Sequence, residues 1–150
     1  MAAKIKSKIK TVNRLILNEF TFLESIYDYK PESNSKSDSL FIESLEVTYT
    51  NTIKKRSVRI SYFMGLAYDE LKFTFNASIY RMPYSDSEDF FSLNNYLGSI
   101  NKNYSTSLIN HFDKNEAVII LRKIANSLKD HASQILNGEV WLRNYYPRKD

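Results

Sequence analysis

From Val12 onward, apolar residues recur at three- and four-residue steps. Val12, Leu15, Ile16, Phe20, Leu23 and Ile26 therefore share one side of an α-helix. The pattern then stops. "DYKPESNSKSDS" combines Pro31 with serines, Asn34 and alternating charge, and predicts a flexible loop over residues 28–40. Beyond it the period changes to two. Leu45, Val47 and Tyr49 alternate with Glu46, Thr48 and Thr50; after the connection "NTIKKR", Val58, Ile60 and Tyr62 do the same; after "GLAYDE", Leu71, Phe73, Phe75, Ala77 and Ile79 share one side. These runs predict an antiparallel meander with one buried face. Its outward set is polar: Glu46, Thr48, Ser57, Arg59, Ser61, Lys72, Thr74, Asn76, Ser78 and Tyr80.

The helical period returns in the second half. Pro83 opens a turn, and Asp86 or Ser87 is placed to cap a short helix carrying Phe90, Leu93, Tyr96 and Leu97. Asp113 and Glu116 have capping-box spacing ahead of Ala117, Leu121, Ile124, Ala125, Leu128, Ala132, Ile135 and Leu136, and Gly138 stands where a left-handed cap is expected. Helix, strands, then helices predicts an α+β fold: an antiparallel three- or four-stranded meander with one face packed against an N-terminal helix and C-terminal helices. Residues 1–150 are one domain. Phe73 and Leu121 belong to its core, whereas residues 1–11 fray or extend the first helix without joining it.

A composition of 43% hydrophobic and 14% aromatic residues supports a self-contained core and excludes a disordered tail. With no cysteine, disulfides, cysteine zinc sites and thiol nucleophiles are excluded, and a reducing compartment fits. The basic start is followed only by the short apolar run "LIL", so neither a signal peptide nor a membrane span is expected, and a cytoplasmic location is. The net charge of +4 is terminal in origin. Lys4, Lys6, Lys8, Lys10 and Arg14 face no acid in residues 1–14, and Arg143, Arg148 and Lys149 face only Asp150 at the other end; residues 15–142 hold 13 bases and 16 acids, a net −3.

Candidate chemistry is sparse. His111 and Asp113 stand two apart before the long helix, and His131 lies late in it, too few ligands to specify a metal centre. Asp86, Glu88 and Asp89 are the nearest thing to a catalytic carboxylate group, but "SDSED" reads as uniformly exposed, while acid–base work needs carboxylates in unlike environments. Gly65, Gly98 and Gly138 are too dispersed for a phosphate loop, and no G-x-S-x-G is present. The expectation is a non-enzyme with no catalytic, cofactor or metal residues, an uncharacterised enzyme being the third reading after a protein partner and nucleic acid. Two binding sets remain. Asp86, Glu88, Asp89 and Tyr84 combine charge with an aromatic anchor for a protein partner. Lys4, Lys6, Lys8, Lys10, Lys54, Lys55 and Arg56, the last three at an exposed tip, are the alternative set, for nucleic acid.

"EFTFLESIYDYK", "LEVTYTN", "RSVRISYF", "LKFTFNASIYR", "EDFFSLNNYL" and "LRKIANSLKDHASQILNGE" together resemble a diffuse group of small bacterial α+β proteins without assigned activity. Some of that group resemble immunity proteins of secreted toxin systems. The shared features are F-x-F-L, a Y-x-N before a basic turn and a terminal I-L-N-G-E. The resemblance implies binding to a cognate toxin as the function, and carries over no catalytic residue.

Overall fold

The computed structural model describes residues 7–39, 42–67, 70–100 and 112–142. Two helices open the described chain, α1 (Ile9–Glu19) and α2 (Thr21–Ser25), followed by four long strands, β1 (Lys30–Ser39), β2 (Ile42–Asn51), β3 (Arg56–Ala67) and β4 (Glu70–Arg81). A 3₁₀ turn (Ser87–Asp89) leads into the short β5 (Phe90–Ser92), and α3 (Leu93–Ser99), α4 (Lys114–His131) and α5 (Ser133–Leu136) complete it. The strands form one antiparallel sheet in chain order, β1-β2-β3-β4-β5.

The α+β class is as expected, and the sheet is larger than the predicted three or four strands. The added long strand is β1, where a flexible loop was predicted: Lys30–Ser39 pairs with β2 from Lys30↔Thr50 to Ser39↔Ile42. The reason is that a strand at a sheet edge is held by its main chain. Its side chains stay in water, Glu32 to Ser37 being exposed, so no apolar alternation is required.

The predicted register holds through β2, β3 and β4. Val47, Tyr49, Val58, Ile60, Phe75 and Ile79 are fully buried, Tyr62 nearly so, and Phe73 and Leu121 lie in the same cluster. α1 and α4 pack on each other and on this face, Val12 and Ile16 meeting the sheet from one helix and Leu121, Ile124 and Leu128 from the other. The predicted first helix is interrupted at Phe20, whose φ of −107° and ψ of 20° end α1 before α2 begins. Residues 9–11 extend the first helix, one of the two expected outcomes. Ile9 packs against the core, however, and the Lys8 N–H donates to the buried Glu43 carboxylate at 2.9 Å, so this end is anchored, contrary to the expectation that it stays out of the core. Residues 1–6 lie outside the described residues.

Asp113 caps α4 as its spacing predicts, its carboxylate accepting from the N–H groups of Asn115 and Glu116. The helix bends off at Ala132, and the final turn closes on Gly138 at φ +76°, with Gly138 N–H donating to Ile135 and Glu139 N–H to Gln134. That pair of bonds is a Schellman cap.

Candidate functional site

Among the described residues the helices pack on one face of the sheet, and none of them covers the other. Directly opposed residues share a face, so Thr48, Arg59 and Ser78 mark a continuous polar row across three strands, with Glu46, Ser61 and Asn76 the next. At one end of this face lies an aromatic stack. Tyr80 of β4 opposes Phe90 of β5 with ring centroids 4.9 Å apart, and Tyr84 meets Tyr80 edge-on at 5.9 Å. The Arg59 guanidinium lies 4.8 Å from the Tyr80 ring centroid and donates to its hydroxyl at 3.1 Å. Glu46 approaches Arg59 Nε at 3.7 Å, a loose ion pair on a half-wet surface. Burial raises the Tyr80 phenol pKa, while Arg59 pulls it back down. At the far end of the face Phe63 is 45% exposed, its ring lying over Gly65, where an added Cβ would stand 2.4 Å from it.

The predicted protein-contact set divides here. Tyr84 is 59% exposed at the rim of the aromatic stack. Asp86 and Glu88 are exposed beside it, Asp86 also capping the 3₁₀ turn by accepting the Glu88 N–H. Asp89 corrects the reading of "SDSED" as uniformly exposed: it is buried, paired with Arg81 at 2.7 Å, and accepts from the Ser85 hydroxyl and the N–H groups of Ser85 and Asp86. The Ser85 hydroxyl above all, then Arg81 and the main-chain donors, hold its pKa well below the usual carboxylate range. Asp89 is thus the structural post of the loop that displays Tyr84, Asp86 and Glu88.

The alternative cationic set is dispersed. Lys4 and Lys6 lie outside the described residues, Lys10 is exposed on α1, and the Lys8 ammonium sits 5.5 Å from the Phe112 ring. At the β2–β3 turn, Lys55 is exposed at φ 55°. Lys54 donates to the Tyr27 carbonyl at 2.9 Å. Arg56 corrects the picture of an exposed cationic tip, being 6% exposed and donating to the carbonyls of Ile135, Lys55 and Val140. Its parity with Val58 and Ile60 explains this, because the residue two before a buried strand position points the same way. Burial lowers the Arg56 pKa, and nearby Arg81 adds to that effect.

Arg56 and Arg81, opposed in register, both stack on Trp141, at 4.9 and 5.3 Å from its ring. The indole N–H donates to the Glu88 carbonyl at 2.7 Å, and Phe91 packs on the ring at 5.2 Å. The segment after α5 is thereby clasped to the sheet end. Sequence reasoning missed this cluster; the only trace was the helix-face parity of Arg56 and Arg81.

His111 lies outside the described residues, and His131 ends α4, its carbonyl accepting from the Tyr96 hydroxyl at 2.7 Å. Among the described residues no three histidine or acidic side chains are grouped to hold a metal, and no helix is long and apolar enough to cross a membrane. An open groove of about 710 Å³ lies near the β2–β3 turn, with Lys30, Glu32 and Lys54 mixing charge along it. No protein-family model matches the chain, and no curated protein or solved structure is significantly similar to it.

Proposed function

We propose that this protein acts by binding another macromolecule rather than by catalysis, in the cytoplasm, as an immunity protein that neutralises a bacterial toxin. The observation that supports this reading is the sheet face on which no described helix packs, edged by Arg59, Tyr80, Phe90 and Tyr84, with the carboxylates of Asp86 and Glu88 alongside. Tyrosine and arginine dominate binding energy at interfaces, and rings already stacked give up little rotamer freedom on docking. A nuclease is the toxin class that fits best, because its phosphate groove is positive and exposed acids beside an aromatic anchor complement it.

The test needs a cognate toxin, sought first as a nuclease domain in the product of the neighbouring gene. Asp86→Asn with Glu88→Gln removes both charges and keeps a capping side chain at position 86. This variant should associate more slowly than the parent and protect less well, most clearly at low salt, and Tyr84→Ala should speed dissociation. Unchanged kinetics in both folded variants would remove this rim from the interface.

A further inference from the structure

The edge formed by β1 has features that protection from aggregation alone does not require. It is ten residues long, and among the described residues nothing pairs with its outer side. Glu32 to Ser37 are exposed, and the strand's only proline, Pro31, lies outside the central stretch Glu32–Lys36, so all five of those residues keep a main-chain N–H. Such an edge is a template for a further strand.

Its charges specify which strand. Glu32 and Lys36 face the same side of the sheet as Thr48 and Ser44, the uncharged residues directly opposite them on β2. Neither makes an ion pair with another described residue. Two copies of β1 laid antiparallel about a two-fold axis through Asn34 place Glu32 opposite Lys36 of the second copy, and Lys36 opposite its Glu32. Ser33 and Ser35 then oppose each other on the helix-bearing side. Opposite charges directly across an antiparallel pair are favourable and like charges are not. We infer that the outer edge of β1 is a self-association edge, joining two copies of this chain into one continuous sheet whose open faces lie on the same side. The pairing is isologous, so it uses up both edges and closes at two copies rather than growing into a fibre.

Sedimentation equilibrium on the full chain tests this, with far-UV circular dichroism confirming that each variant folds. The parent should show twice the monomer mass, with a dissociation constant that rises with salt. Glu32→Lys and Lys36→Glu should each weaken self-association by about tenfold or more, since each creates two like-charge oppositions. An equimolar mixture of the two variants should restore the dimer, because an edge carrying only ammonium groups at these two positions then meets an edge carrying only carboxylates. The double swap in one chain should restore it too. A parent that stays monomeric to about millimolar concentration, or a dimer indifferent to both single changes, would overturn the inference and leave β1 as an edge merely guarded by its charges.

Discussion

Four tyrosines are buried in the same core, and the hydroxyls of the three most deeply buried, Tyr29, Tyr49 and Tyr62, are treated differently. Tyr29 donates to the Leu136 carbonyl at 2.7 Å and Tyr62 to the Glu43 carboxylate at 2.9 Å, whereas the Tyr49 hydroxyl has no hydrogen-bond partner among the described residues. Burial raises the pKa of all three phenols, so each stays protonated across the ordinary range. Removing a paired hydroxyl strands its partner, but removing an unpaired one strands nothing. Tyr29→Phe should therefore cost about 1 to 2 kcal/mol, while Tyr49→Phe should be neutral or stabilising; urea unfolding of the two variants makes the comparison. Asp89 gives a pH signature. Its folded pKa is depressed, so its contribution is fully present above the unfolded value of about 4 and is lost as pH falls from there through the folded pKa. The gap in melting temperature between the parent and Asp89→Asn should be widest near neutrality and shrink in acid below about pH 4. A gap that stays constant down the acid range would mean that the charge is not what holds the loop. Parity along β2 and β3 made Tyr49 and Tyr62 legible as core residues. Nothing local marked Asp89, because its burial depends on Arg81 arriving from the neighbouring strand.

The end of α5 and the β2–β3 turn are built against each other. Gly138 adopts φ +76°, and a Cβ there would stand 3.0 Å from the Lys54 carbonyl oxygen, so a side chain is opposed both by its own backbone and by the turn. Gly138→Ala should cost about 1 to 2 kcal/mol for the left-handed conformation alone. Hydrogen exchange should show the loss concentrated around Ile135–Val140 and the turn; an unaffected exchange pattern would mean that the two segments are not coupled. The elements read most directly from the sequence were those whose burial imposes a period: α1, α4 and the strands β2 to β4. β1 escaped because an edge strand with wet side chains has no period to display. The anchoring of α1 escaped because Glu43, a carboxylate at a core-facing position, looks out of place until Tyr62 and the Lys8 N–H are set beside it. The candidate site was legible in part: Tyr84, Asp86 and Glu88 could be named from their neighbours in sequence, but their connection to Arg59 and Tyr80 exists only across strands.

At the scale of the whole fold, the described residues divide their labour between two faces of one sheet, a helix-covered face that supplies the core and a polar face on which no described helix packs. The C-terminal segment joins them at one corner, where Trp141 lies against Arg56, Arg81 and Phe91. Trp141 is the only tryptophan in the chain. Light emitted by this protein on selective indole excitation therefore comes from that corner alone, while circular dichroism averages over every helix and strand. If the clasp and the sheet melt as one cooperative unit, the two signals should trace the same curve with temperature or denaturant. If the corner opens first, the emission should shift toward the red while the ellipticity is still native, and the lag between the curves would measure how far the last described residues can let go before the fold does.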